Sequence, residues 1–245
     1  MQIFAHRGAS GDYPENTILA FKKALEIGVD GIELDVHKSK DGQLIVIHDE
    51  DVKRTFKGKG LIKDYTLEEL KELKCKKFKF INDNECRICI LRDVIELIKD
   101  EDIVLNIEAK TDEIHYNLEE DVLKLINEYG VKDKILISSF YHQTIKNFKE
   151  LNNSLKYGAL YGYKKDYDPE QNIVEHAEKI GVYSINISIN LVTKEIVQLA
   201  HNNGLKVFVY TVNSPMIMRK MIDCNVDGVF TDFPKLMKEV LKENI

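Results

Sequence analysis

Five times in this chain an amphipathic helical stretch ends, a Gly or Asn follows, then a Val or Leu, and then a strand. The junctions are Gly28-Val29, Gly130-Val131, Gly181-Val182, Gly204-Leu205 and Asn225-Val226. Gly and Asn are the residues that tolerate the left-handed C-cap of a helix. A regular helix-then-strand alternation implies parallel strands joined by right-handed crossovers. The run Val29-Asp30-Gly31-Ile32 is echoed by Val226-Asp227-Gly228-Val229 near the other end.

Read on this basis, the chain has strands near 2–6, 31–37, 103–108, 135–140, 156–161, 182–188, 206–212 and 228–232. Helices are expected at about 15–27, 91–99, 116–129, 141–151, 171–180, 193–203, 214–223 and 234–243. Pro14-Glu15-Asn16-Thr17 opens the first of them, because Pro and Glu suit a first helical turn. Eight strands alternating with helices read as an α/β fold of the (β/α)8 TIM-barrel type. Its 245 residues are enough for one domain, 1–245. An open doubly wound sheet is the alternative, weakened because no Gly-rich dinucleotide fingerprint follows the first strand. Residues 50–90 break the rhythm. They are rich in Lys and hold a short helix near 67–73. Long excursions at the strand ends of a barrel usually cover the site, so this one is expected to be a small insertion or lid after the second strand's hairpin.

The second strand carries the first chemistry. Strand side chains alternate faces, so Glu33, Asp35 and His37 share one face and Ile32, Leu34 and Val36 the other. Asp41-Gly42 is a two-residue hairpin signal. With those two residues as the turn, Lys40 pairs with Gln43 and Asp35 with His48, which places two carboxylates and an imidazole on one surface. The competing reading is a surface hairpin with a solvated acidic face. On the third strand, Asn106, Glu108 and Lys110 share the inward face while Leu105, Ile107 and Ala109 face the helices. A buried Glu108–Lys110 ion pair is the bland alternative there. Glu33, Asp35 and Glu108 then converge. Three carboxylates in one place repel unless a cation holds them. All-oxygen ligands indicate a hard cation, Mg2+ or Ca2+. His6 and His48 flank the cluster, and Arg7 and Lys110 supply donors suited to a phosphate. Two histidines, a hard cation and basic residues fit attack at phosphorus with acid–base help.

Composition sets limits on this. The net charge is −6 and the pI near 5.7, which argues against a nucleic-acid surface. It leaves room for an anionic small-molecule substrate, because a pocket can be locally positive inside an acidic protein. No apolar run approaches the roughly 20 residues that span a bilayer, and no secretory signal is visible before His6-Arg7-Gly8. Of the four cysteines, Cys86 and Cys89 have metal-like spacing, but no second Cys/His pair follows at zinc-finger distance. A reduced, cytoplasmic protein is expected, without stable membrane insertion, as a monomer or homodimer.

The sequence resembles the glycerophosphodiester phosphodiesterase family. The matching blocks, in family order, are His6-Arg7-Gly8, Pro14-Glu15-Asn16-Thr17, Glu33-Leu34-Asp35-Val36, His48-Asp49 and Glu108-Ala109-Lys110. Ser139-Phe140, Tyr210-Thr211-Val212-Asn213 and Asp227-Gly228-Val229-Phe230-Thr231-Asp232 follow. The resemblance covers essentially the whole chain. It implies a barrel fold, a divalent cation and hydrolysis of glycerophosphodiesters to an alcohol and glycerol 3-phosphate. It also implies that Glu33, Asp35 and Glu108 ligate the metal, that His6 and His48 are the general acid–base pair, and that Arg7 and Lys110 hold the phosphate. By the same resemblance, His48 is the acid and His6 the base. Glu15 falls in a block where helix-capping and site duty are both open. Phe140 and Tyr210 either line the pocket or fill the barrel. Two departures bear on head-group preference. Tyr210 stands where the family usually has Trp, and Cys89-Ile90 replaces the usual Pro-Thr. The attacking group is either water or the substrate's own neighbouring hydroxyl. A lipid-directed phosphodiesterase of lysophospholipase D or phospholipase C type, and a non-catalytic phosphate-binding barrel, are the competing readings.

Overall fold

The computed structural model describes residues 1–111, 117–162 and 172–243. Its strands in chain order are β1 (Gln2–His6), β2 (Gly31–Lys38), β3 (Leu44–Val46), β4 (Cys89–Ile90), β5 (Val104–Ala109), β6 (Ile135–Ser139), β7 (Lys156–Tyr161), β8 (Ser184–Ser188), β9 (Lys206–Tyr210) and β10 (Gly228–Thr231). The helices are α1 (Ile18–Ile27), α2 (Leu67–Glu72), α3 (Leu91–Ile98), α4 (Glu119–Tyr129), α5 (His142–Leu151), α6 (Ile173–Ile180), α7 (Lys194–Asn202), α8 (Pro215–Asp223) and α9 (Pro234–Lys242). β1 pairs with both β2 and β10, and the order β2-β5-β6-β7-β8-β9-β10 is parallel throughout. Among the described residues, eight parallel strands thus close into a TIM-type barrel with helices between them. The five expected junctions all hold. Gly28, Gly130, Gly181, Gly204 and Asn225 have φ of 74°, 64°, 65°, 72° and 57°, the left-handed region that ends a helix. The expected helix starts at 116 and 171 lie outside the described residues.

The repeated Val-Asp-Gly run has a physical reason. Asp30 Oδ2 accepts the Ile3 amide at 2.8 Å, and Asp227 Oδ2 accepts the Val207 amide at 2.8 Å. Each Asp therefore ties down the start of the neighbouring strand. The Gly that follows makes room inside the barrel. A Cβ on Gly31 would lie 2.5 Å from the Phe4 ring, and one on Gly228 would lie 2.9 Å from the Phe208 ring. Phe4, Phe208 and Phe230 fill the interior with Leu136. Alternate residues of the same strands, such as Ile3, Ala5, Ile32 and Leu34, pack under the helices.

Asp227 also accepts Lys206 Nζ and His201 Nε2, each at 2.8 Å. Burial pushes its carboxyl up, but Lys206, the Val207 amide and His201 together hold it below the usual carboxylate range. A depressed carboxyl contributes stability above its unfolded pKa, and that contribution is lost as pH falls through the folded value. Asp227→Asn is expected to cost about 1–2 kcal/mol near neutrality, with the gap closing at a pH below about 4. Urea unfolding at both pH values checks this; a gap of equal size at acid pH would rule out the ionic origin.

Two local expectations are corrected. The first helix begins at Ile18, not near residue 15. Thr17 is its N-cap, its Oγ1 accepting the Ala20 amide at 3.3 Å, and Asn16 at φ 54° cannot continue a helix. The hairpin register is one residue from the expected one. Val36 faces Val46, His37 faces Ile45 and Lys38 faces Leu44. The Asp35 carbonyl accepts the Ile47 amide at 3.1 Å, so His48 is not its partner. The turn is a three-residue loop closed by Ser39 N–H to the Gln43 carbonyl and Gly42 N–H to the Ser39 carbonyl, both 3.0 Å. Gly42 at φ 79° takes the left-handed bulge position that such loops require.

Residues 50–90 build a small second core with the hairpin, from Ile45, Ile47, Val52, Phe56, Ile62, Leu70, Cys75, Cys86 and Ile88. A Thr66–Glu69 capping box starts α2, and β4 pairs antiparallel with β3. All four cysteines are free and buried, and burial pushes the Cys86 thiol up to about 12. Among the described residues, the cluster able to hold a metal contains no cysteine.

Candidate active site

Parallel pairing sets the site. His6 stands level with Glu33 across β1–β2, and Asp35 level with Glu108 across β2–β5. Glu33, Asp35 and Glu108 are buried, and each offers a ligand atom within 4.8 Å of the others. Each of the two β2 carboxylates is held by one oxygen. Glu33 Oε2 accepts the Arg7 amide at 2.9 Å, and Asp35 Oδ2 accepts Asn16 Nδ2 at 2.8 Å. Their other oxygens, Glu33 Oε1 and Asp35 Oδ1, are buried without a hydrogen bond. Buried acceptors left this way are costly unless a cation meets them. The donor set is all oxygen, so the triad fits a metal ion of the hard class.

The charges around it are uneven. Burial, then Asp35 and Glu108, raise the Glu33 carboxyl well above its ordinary range, and Arg7 only partly offsets them. Burial also pushes Asp35 up, but Arg7, Lys110, His48 and Asn16 outweigh it and hold that carboxyl low. Arg7 Nε lies 3.4 Å from Asp35 Oδ2. Lys110 Nζ lies 2.7 Å from Glu108 Oε1 and 3.8 Å from Asp35 Oδ1. The loop after β1 bends sharply to bring these groups in. Arg7 sits at φ 56°, and Gly8 follows at φ 81°, where a Cβ would lie 2.7 Å from the Ala20 backbone.

The two histidines are built alike. His6 Nδ1 donates to Asp232 Oδ1 at 2.6 Å, and Asp232 also accepts from Ser10 and Asn213. His48 Nδ1 donates to Asp49 Oδ1 at 2.6 Å. A carboxylate at Nδ1 fixes the tautomer and turns Nε2 toward the pocket. His6 Nε2 is 4.0 Å from Glu33 Oε2, and His48 Nε2 is 3.5 Å from Lys110 Nζ. The His48 backbone is anchored by His37, whose Nε2 donates to its carbonyl at 2.9 Å. Although the register differs from the expected one, the chain leaves β3 so that His48 still reaches the cavity.

That cavity holds about 190 Å3. His6, Arg7, Glu33, His48 and Glu108 form its polar wall, and Phe140, Leu160, Tyr210 and Phe230 its apolar one. The Phe140 and Tyr210 rings meet edge to face at 5.8 Å. Lys110 Nζ lies 5.8 Å from the Phe140 ring centre, and Tyr210 donates to the Tyr161 carbonyl at 2.9 Å. Asp35 and Lys110 stand one contact behind the lining. Glu15 is neither a cap nor a wall: Oε1 accepts from Arg7 and Arg54 at 2.8 Å each, and Oε2 from Arg54 at 2.6 Å. Arg54 also reaches Asp49 at 2.6 Å through Nε. A continuous ionic chain therefore runs His48–Asp49–Arg54–Glu15–Arg7–Asp35.

Of the expected residues, His6, Arg7, Glu33, His48, Glu108, Phe140 and Tyr210 line this cavity, Asp35 and Lys110 stand behind it, and Glu15 bridges Arg7 and Arg54. Sequence reasoning assigned no site role to Asn16, Asp49, Arg54 or Asp232, which hold several of them. Asp49 was detectable as the carboxylate beside a strand-end histidine. Asp232 closes one of the family-matching blocks, but its partner is a histidine 226 residues away, and nothing local marks that pairing.

Residues 6–236 match the model of the glycerophosphoryl diester phosphodiesterase family. The chain is 41% identical to a glycerophosphodiester phosphodiesterase of Caldanaerobacter subterraneus subsp. tengcongensis, over 98% of each chain. Its fold matches a crystal structure of a glycerophosphodiester phosphodiesterase from Thermotoga maritima, with 34% identity, a TM-score of 0.81 and 98% of each chain covered. It also matches an Oleispira antarctica phosphodiesterase solved with the product sn-glycerol-3-phosphate, with 28% identity and a TM-score of 0.88 over 99% of this chain and 97% of that one.

Proposed function

The chain belongs to the glycerophosphoryl diester phosphodiesterase family, and from that membership we propose that it hydrolyses glycerophosphodiesters to an alcohol and glycerol 3-phosphate. The observation that carries the mechanism is a pair of Asp-held histidines beside one acidic cluster, His6 by Glu33 and His48 by Lys110, which in turn pairs with Glu108. Glu33, Asp35 and Glu108 would hold a divalent cation, Mg2+ or Ca2+, which when bound polarises phosphoryl oxygens and offsets developing charge.

Arg7, in the cavity wall, and Lys110, one contact behind it, are the two cations that would bind the phosphate. Lys110 now rests against His48 Nε2, and that contact and a proton on Nε2 exclude one another. A phosphate oxygen that draws the ammonium away frees Nε2 to carry the proton. His48 then protonates the leaving alkoxide, and His6 Nε2 takes the proton of the attacking oxygen. Asp232 and Asp49 steady the charge on each ring as it changes. Phe140 and Tyr210 supply the apolar wall for the carbon skeleton of the glycerol or head group.

The test is a hydrolysis screen of glycerophosphocholine and glycerophosphoethanolamine with Mg2+, Ca2+ and Mn2+ added separately. Release of glycerol 3-phosphate with at least one cation is expected. Faster turnover of lysophosphatidylcholine would move the activity to lipids, and no turnover with any cation would leave a phosphate-binding barrel.

A further inference from the structure

We propose that residues 74–80 of the excursion dock the protein on an anionic phospholipid bilayer. The segment reads Lys-Cys-Lys-Lys-Phe-Lys-Phe and contains no acidic residue. Lys74, Lys76, Lys77 and Lys79 are all exposed. Phe78 between them is 89% exposed, the most exposed large apolar side chain among the described residues. A lone surface aromatic is unremarked in a soluble protein, but its surroundings here are specific. Residues 50–90 carry eleven Lys and Arg against eight Asp and Glu, in a chain whose net charge is −6. Positive charge is thus gathered on the excursion, while the rest of the surface would be repelled by an acidic membrane. A projecting ring within a basic ring of side chains is the pattern of an interfacial anchor.

The segment is held rigidly in place by its other residues. Cys75 is buried in the excursion's core, Phe80 packs on Tyr13 at 5.9 Å, and Lys77 Nζ donates to the carbonyls of Tyr13 and Ser10 at 2.7 and 3.3 Å. Tyr13 and Ser10 lie on the loop that carries Arg7 and Glu15. Docking through Phe78 would therefore bring the barrel mouth to the lipid surface. No helix among the described residues is long and apolar enough to cross a membrane, so the contact is peripheral. Docking stands apart from the hydrolytic reading, because vesicle binding is measured without turnover.

The experiment is co-sedimentation at low ionic strength with vesicles of phosphatidylcholine alone and of phosphatidylcholine mixed with phosphatidylglycerol. Binding is expected to the mixed vesicles only and to fade as salt is raised. A lysine at an anionic surface is worth about fivefold in binding, so Lys74→Gln with Lys79→Gln should weaken it about 25-fold. Phe78→Ala should weaken it about tenfold. Neither variant should change hydrolysis of soluble glycerophosphocholine. The chain has no Trp, so Phe78→Trp adds a single reporter whose emission should shift to the blue with mixed vesicles. The proposal is overturned by failure to bind mixed vesicles, by binding that neither variant weakens, or by an unshifted indole. Heparin or RNA binding that outcompetes the vesicles would equally overturn it in favour of a different polyanion.

Discussion

His48→Ala is expected to lower hydrolysis of glycerophosphocholine by about 10²–10⁴-fold while sparing most of the activity on a nitrophenyl phosphodiester. An alkoxide is a poor leaving group and must be protonated as its bond to phosphorus breaks. A nitrophenolate leaves without that help, because its conjugate acid is far stronger. His6→Ala should depress both substrates alike, since attack is needed for each. The assignment of acid and base rests on the family resemblance; the geometry equips both rings alike, each held through Nδ1 by its own carboxylate, Asp232 or Asp49, with Nε2 turned to the pocket. Arg54→Met removes the support behind Asp49 and should repeat the His48 pattern at smaller size. Steady-state kcat/KM on the two substrates measures all three variants. The reverse pattern would exchange the two roles, and equal losses throughout would assign the histidines to binding instead.

The second large effect concerns the cation. Chelation is expected to abolish turnover, by about 10³-fold or more given the several kcal/mol that a Lewis acid supplies, and readdition of a divalent ion should restore it. Glu108→Gln should lose activity to the same extent without recovery. A readout independent of turnover is thermal stability. Saturation to about 100 times the dissociation constant is worth about 2.7 kcal/mol, or roughly 5–10 °C for a chain of this size. Glu108→Gln should lose that shift. An undiminished shift in the variant would show that the ion sits elsewhere. The pH dependence follows from Glu33. Its carboxyl is raised by burial and by its two acidic neighbours, so at a pH below that raised value a proton there competes with the ion. Cation affinity should therefore fall as pH falls through that raised value, with proton release on binding. Affinity that stays level across that range would argue that Glu33 is already ionised without the ion.

The local rules of the chain were sufficient for the barrel. Left-handed C-caps at Gly28, Gly130, Gly181, Gly204 and Asn225 end helices through the geometry of one residue. Alternation along β2 and β5 decides which side chains share a face, since the strand period is two. Together they placed Glu33, Asp35 and Glu108 on converging inward faces, and His6 at a strand end beside them. The hairpin register lay beyond such rules. Asp41-Gly42 fits both a two-residue and a three-residue turn, and the choice fell to the longer loop, in which Ser39 pairs with Gln43 and the Lys40 amide goes to the Tyr65 carbonyl of the excursion.

Barrel closure decided the rest. Pairing of β1 with β10 brings Asp232 under His6 across 226 residues, and folding of the excursion sets Arg54 between Asp49 and Glu15. The His6–Asp232 and Arg54–Glu15 contacts join segments far apart in the chain. The sequence alone therefore determined which groups face inward, because side-chain direction is a property of each strand. Only the tertiary structure determined that Asp232 holds His6 and that Arg54 backs the Asp49 beside His48, because those contacts depend on chain segments brought together as the barrel and the excursion fold.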